Sequence, residues 1–134
     1  MPSDPLAGLV RAAAAARARA HAPYSGFAVG AALETGDGVI VAGCNVESAS
    51  YGLTICAERA ALVKAISDGH RDFRRIVIVT ASRTPTPPCG ACRQLLWELA
   101  GDLEVILASP AGTRARHRLS DLLPHPFERR QLDP

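Results

Sequence analysis

Cys89 and Cys92 stand three residues apart in Pro88-Cys89-Gly90-Ala91-Cys92-Arg93, and Cys56 precedes Cys89 by 33 residues in Thr54-Ile55-Cys56-Ala57-Glu58-Arg59. Cysteines so spaced can put three thiolates on one zinc ion and leave its fourth coordination position open, the pattern of a catalytic rather than a structural site. Glu58, two residues after Cys56, supplies a carboxylate for a water in that open position.

The chemistry constrains the elements that carry it. Residues three apart on a helical turn share a face, so Cys89 and Cys92 can meet one ion at the start of a helix. Residues two apart in a helix diverge by about 200°. Cys56 and Glu58 therefore converge only if Cys56 sits at the very beginning of its own helix. Both segments would then aim a helix N-terminus at the site, and its partial positive charge favours thiolate over thiol. Three thiolates outweigh a divalent cation and weaken its pull on the protons of water, so a compensating cation is expected. Arg59 and Arg93 lie within a turn of a cysteine, and at least one should donate to a ligand sulfur. Cys44 lies in a predicted strand away from this spacing and reads as core packing; as a fourth ligand it would close the site.

At 134 residues the chain is read as one domain, residues 1–134, with 125–134 a tail lacking periodicity. Hydrophobic content is 48%, yet no apolar run is long enough to span a bilayer. Met1-Pro2-Ser3-Asp4-Pro5 lacks the basic start and apolar core of a signal peptide, which leads to the expectation of a cytoplasmic protein whose cysteines bind metal rather than form disulfides. A net charge of +2 and six aromatic residues argue against a nucleic-acid or membrane partner. His21, His70, His117 and His125 share no ligand spacing and read as surface histidines.

The alanine-rich stretch 6–20 predicts a first helix. Residues 27–33 and 39–46 read as strands joined by a hairpin at Gly36-Asp37-Gly38. A polar loop at 48–54 leads into a helix from Cys56 to about Ser67, stopped by Gly69. Ile76-Val77-Ile78-Val79, within 74–80, reads as a central strand covered on both faces. Prolines at 85, 87 and 88 precede a helix that runs to about Leu99 and ends at Gly101. Strands follow at 103–108 and 113–119, the latter with Arg114, Arg116 and Arg118 along one face of a charge-protected edge, and 120–123 forms a helical turn. Helices alternating with strands in this order give an α/β fold, a three-layer α/β/α sandwich around a mixed sheet of about five strands.

The chain resembles the small, homotetrameric, zinc-dependent cytidine deaminases. The resemblance rests on Pro23-Tyr24-Ser25 with Phe27-x-Val29-Gly30-Ala31-Ala32, Gly43-Cys44-Asn45-Val46-Glu47, Cys56-Ala57-Glu58-Arg59, Pro88-Cys89-Gly90-x-Cys92-Arg93-Gln94, and Leu122-Leu123-Pro124 with Phe127. It implies that Cys56, Cys89 and Cys92 hold one Zn2+ per subunit, with water as the fourth ligand, and that Glu58 relays protons during attack on ring C4. It also implies that Asn45 and Glu47 bind the sugar hydroxyls and that Phe27 and Ala57 adjoin the nucleoside. Phe127 would reach a neighbouring subunit's pocket, with active sites near subunit interfaces, and Arg59 and Arg93 would support the ligands.

The sequence departs from many relatives after Phe127, where Glu128-Arg129-Arg130 replaces Gly-Pro, and in the loop 82–87, which lacks acidic residues, a difference bearing on surface and packing. Asn45 and Glu47, at a strand-to-loop boundary, could also cap backbone groups. The resemblance implies a substrate of cytidine or 2'-deoxycytidine, with pyrimidine salvage as the setting. Alternatives are another aminopyrimidine nucleoside such as blasticidin S, a cytosine-editing module acting on nucleic acid, and a structural zinc domain.

Overall fold

The computed structural model describes residues 5–133, so Met1–Asp4, on which the leader reading rests, and Pro134 of the tail lie outside the described residues. The chain runs α1 (Pro5–Arg17), β1 (Gly30–Thr35), β2 (Ile40–Cys44), α2 (Ala57–Ser67), β3 (Phe73–Val79), α3 (Gly90–Ala100), β4 (Glu104–Ser109), β5 (Gly112–Arg118) and α4 (Leu119–Leu122), with single 3-10 turns at Tyr51–Leu53 and Arg129–Leu132. The five strands form one mixed sheet in the order β2-β1-β3-β4-β5. Only β3 and β4 are parallel, joined by the crossover through α3.

Period-two alternation buries both faces of the central strands. On one face Leu33, Ile76, Ile78, Val105 and Leu107 pack against Ala61, Leu62 and Ala65 of α2 and Leu96 of α3. On the other, Ala32, Val77, Val79 and Ile106 pack against Leu9, Val10 and Ala13 of α1. The result is the expected three-layer α/β/α sandwich.

Several boundaries differ from the sequence reading, each for a physical reason. The first strand begins at Gly30 rather than Phe27. Over 27–29 the backbone is held by Asn45 rather than by a continuous ladder: its side-chain amide receives the Val29 N–H at 2.9 Å and donates to the Phe27 carbonyl at 2.8 Å, and its backbone N–H donates to the Val29 carbonyl at 3.2 Å. The second strand is shorter than 39–46, and Val46 stands beyond it as an isolated bridge to His21 and Ile55. The tail contains the Arg129–Leu132 turn, closed by a reciprocal Glu128–Gln131 capping box.

The arginine row on edge strand β5 is partnered. Arg116 pairs with Glu104 at 2.9 Å, Arg118 donates to the Asp102 carbonyl, and Arg114 reaches the carbonyls of Ser82 and Arg83.

Gly30 fixes how closely α1 lies on the sheet. A Cβ there would stand 1.9 Å from the Ala13 carbonyl oxygen and 2.6 Å from the Arg17 nitrogen, both backbone atoms. Gly52, in the exposed turn, has nothing within 4 Å of such a Cβ. Gly30→Ala should therefore destabilise the fold by about 1–3 kcal/mol, the cost of overpacking. Thermal unfolding should show it as a Tm several degrees lower, while Gly52→Ala leaves Tm in place; equal effects would contradict this packing.

Candidate metal centre and active site

Helices α2 and α3 both begin on a cysteine. Cys56 (φ −70°, ψ 154°) and Cys89 (φ −65°, ψ 165°) are the extended residues preceding the first helical turns. That position ordinarily carries Ser, Thr, Asp or Asn, whose oxygen accepts a first-turn N–H, and losing such a cap costs about 1 kcal/mol. Neither cysteine makes that bond. Their side chains turn to a common point, with Cys56 Sγ 3.9 Å from Cys89 Sγ and Cys89 Sγ 3.4 Å from Cys92 Sγ.

All three sulfurs lie within 4.8 Å of one another, the one such group of potential metal ligands among the described residues. Sulfurs around a tetrahedral ion at about 2.3 Å stand about 3.8 Å apart, so this soft donor set fits zinc with little adjustment. Cys44 is not part of the cluster. It is half-buried rather than core, with its sulfur 3.6 Å from the Arg19 carbonyl.

Compensating charge comes from one arginine. Arg59 Nη2 donates to Cys56 Sγ at 3.8 Å and to the Thr54 carbonyl at 3.0 Å. Its Nε is buried without a hydrogen-bond partner, leaving surplus positive charge and a donor beside the sulfurs. That surplus suits three thiolates around a divalent cation. Arg93 does not reach a sulfur. It braces the helix start by donating to the Pro88 carbonyl at 2.7 Å and the Leu122 carbonyl at 2.8 Å.

The cluster's charges are unevenly shared. The hydrogen bond from Cys92 and the adjoining Arg59 guanidinium pull the Cys56 thiol down to about 5, against the opposing effect of burial. Cys92, the donor in that bond and itself buried, is pushed up. Glu58 is only 5% exposed. Burial raises its carboxyl above the usual range, and the Cys56 thiolate adds to this while a hydrogen bond with Cys92 opposes it. A carboxyl whose burial favours its neutral form holds a proton more readily than a solvated one, which suits a proton carrier.

These groups border a cleft of about 280 Å³, at the small end for ligand pockets and sized for one compact molecule. Phe27, Val29, Ala57, Ile78 and Pro87 form its apolar wall, and its charged lining residues, Glu47 and Glu58, are both acidic. Asn45 and Glu47 also line it, as expected of groups that point the same way from a strand end. Both cap backbone as well. Glu47 Oε1 accepts the N–H groups of Tyr24 and Ser25 at 3.0 and 3.1 Å, and Oε2 accepts the Ser25 hydroxyl. These Ser25 bonds, chiefly the hydroxyl, hold the Glu47 carboxyl below its ordinary value.

Phe127 does not enter the cleft. It is 58% exposed and lies by Trp97 and Glu98, its backbone held at both polar atoms by the Gln94 amide at 2.6 and 3.2 Å. The sequence reading missed Thr86 and Pro87, which line the cleft although their loop read as surface. The available signal was position: a proline-rich loop leading directly into Cys89 has to pass over the site. It also missed Ser25 and Gln94, whose side chains act on other residues.

A three-sulfur cluster with a buried carboxyl beside it, at the edge of a small cleft, is the apparatus of a metal-dependent hydrolase. The family model for the cytidine and deoxycytidylate deaminase zinc-binding region matches residues 5–108. A cytidine deaminase of Halalkalibacterium halodurans is 49% identical over 120 residues, 89% of this chain and 91% of that protein. The crystal structure of cytidine deaminase from Burkholderia pseudomallei aligns with a TM-score of 0.85 at 50% identity, covering 90% of this chain and 98% of that one. A blasticidin-S deaminase of Bacillus cereus is more distant, at 32% identity over 109 residues, 75% of this chain and 77% of that one. The chain belongs to the cytidine and deoxycytidylate deaminase zinc-binding family.

The unequal proton affinities predict an order of labelling. In metal-free protein at about pH 6.5, Cys56 is the thiolate and should be alkylated well before the buried, protonated Cys92. Peptide mass spectrometry reads the order, and earlier modification of Cys92 would contradict the assignment.

Proposed function

We propose that this chain hydrolyses cytidine and 2'-deoxycytidine to the corresponding uridines and ammonia, in the service of pyrimidine salvage in the cytoplasm. The observation that carries the reading is the sulfur cluster beside buried Glu58 at a cleft for one small molecule. The relatives' names favour a nucleoside as that molecule.

Cys56, Cys89 and Cys92 would hold one zinc ion per subunit, and Arg59 would offset the excess negative charge of the thiolates. When bound, zinc supplies a water acidified enough to add to a ring carbon at neutral pH. Glu58 takes a proton, delivers it to ring N3, and then helps protonate the amino group that leaves C4 as ammonia. Burial raises its proton affinity and so favours its accepting that proton. Asn45 and Glu47 receive the sugar hydroxyls, and Phe27 and Ala57 flank the base. Arg93 keeps the start of α3 in place from behind the ligands.

The 1–134 chain acts as a single domain, and as a homotetramer with active sites near the subunit interfaces. Tyr24, Tyr51, Leu53 and Phe127 are 53%, 77%, 70% and 58% exposed, and a neighbouring copy would cover such large apolar side chains. Phe127 lies away from the cleft of its own chain, which supports its acting in a neighbour's. No helix among the described residues is long and apolar enough to cross a membrane, and the acidic lining of the cleft disfavours a polynucleotide.

An ammonia-release assay on cytidine, 2'-deoxycytidine, cytosine and blasticidin S tests the reading. Turnover of the first two is expected; turnover of blasticidin S alone, or of none, overturns it. Glu58→Gln should keep the metal, measured by elemental analysis, while kcat falls by about two to four orders of magnitude. Unchanged turnover would remove Glu58 from the reaction. Glu47, with its lowered proton affinity, keeps its charge until the pH falls below the ordinary carboxylate range. KM for cytidine should therefore stay flat as pH drops from about 8 to about 5. A rise already at about pH 6 would contradict its role as a charged acceptor.

A further inference from the structure

We propose that Ser25 is a positioning residue, its hydroxyl fixing the Glu47 carboxylate so that a single acceptor site remains for the substrate. The inference rests on the assignment of Glu47 to the sugar.

The bonding leaves little freedom. Phe27 donates its N–H to Ser25 Oγ at 3.0 Å, and Ser25 Oγ donates its proton to Glu47 Oε2. A serine hydroxyl has one proton and two acceptor positions. Because the amide of Phe27 occupies an acceptor position, the Ser25 proton is directed to the carboxylate. Glu47 Oε1 meanwhile receives the N–H groups of Tyr24 and Ser25. A carboxylate offers about four acceptor sites. Two are used on Oε1 and one on Oε2, so the group reaches the cleft with one site to offer, already oriented.

The segment needs this arrangement because it lies outside the sheet and is exposed. Phe27 has a separate anchor, since Asn45 Nδ2 holds its carbonyl at 2.8 Å. Removing the Ser25 hydroxyl therefore leaves Glu47 held through Oε1 alone, with Oε2 no longer fixed, while the aromatic wall stays in place. Its consequence should fall on the sugar and spare the base.

The test compares Ser25→Ala, Ser25→Thr, Glu47→Gln and the Ser25→Ala/Glu47→Gln pair. Ser25→Ala should raise KM for cytidine about three- to tenfold, the worth of one hydrogen bond, with kcat changed less than about twofold. Ser25→Thr, which keeps the hydroxyl, should restore KM. Inhibition by free cytosine should be unaffected, and Ser25→Ala should add nothing in the Glu47→Gln background. Additive losses, or equal weakening of cytosine, would overturn the proposal by showing that Ser25 acts on the ligand directly or through general loop disorder.

Amide exchange in the ligand-free protein gives a readout independent of turnover. Ser25→Ala should accelerate exchange at Tyr24, whose N–H bonds Glu47 Oε1, and unchanged exchange there would also overturn the proposal. Absence of deaminase activity in the unmodified chain would instead sink the functional reading and leave the exchange result to decide whether Ser25 holds the carboxylate.

Discussion

Helices α2 and α3 start without a capping side chain, because the residues at their caps turn to each other. Cys56 and Cys89 occupy positions where an oxygen would ordinarily satisfy the first-turn N–H groups. Each instead extends its sulfur to a point shared with Cys92. The uncapped helix starts keep their partial positive charge facing that point, which favours thiolate there. Local stability is given up at both helix starts to create one site of concentrated negative charge, and Arg59 is the nearby group that offsets it.

The sheet supplies the rigidity that this arrangement lacks locally. Both cysteine helices pack on the same face, through Ala61 and Leu62 of α2 and Leu96 of α3, while α1 covers the opposite face. Strand β3 ends at Val79, and the loop that follows must cross the sheet edge before α3 begins at Gly90. That path brings Thr86 and Pro87 into the lining of the cleft, which Phe27 also borders. The Glu58 carboxyl then lies between a rigid floor and two loops. This explains how Glu58 can be buried yet adjoin a cavity.

Much of this was legible in the sequence where the governing constraint is local. The divergence of residues two apart on a helix required Cys56 to begin its helix, and it does so. An unbroken apolar run marked Ile76–Val79 as a central strand covered on both faces, again as found. The misreadings have nonlocal causes. Phe27-Ala28-Val29 has strand-like composition, but two of its backbone groups bond the side chain of Asn45 in place of a ladder partner, a relation no periodicity reveals. Of the two arginines spaced to reach a sulfur, Arg59 does so, as expected of at least one, whereas the Arg93 guanidinium is taken by the carbonyls of Pro88 and of Leu122, 29 residues later in the chain. Cys44 looked like core because apolar residues surround it, whereas its position on edge strand β2 leaves it half-buried. Spacing can show that two groups are able to meet; tertiary packing decides what else competes for them.

The last residues of the chain are bound to the helix that carries two of the sulfurs. Arg93 and Gln94, directly after Cys92, bond to the backbone of Leu122 and Phe127. During synthesis on a ribosome, both cysteine helices emerge well before these partners exist. The helix therefore acquires these braces only after the whole sheet and both cysteine helices have been made, and a nascent chain stalled before Leu122 would hold its sulfurs on a scaffold not yet tied down.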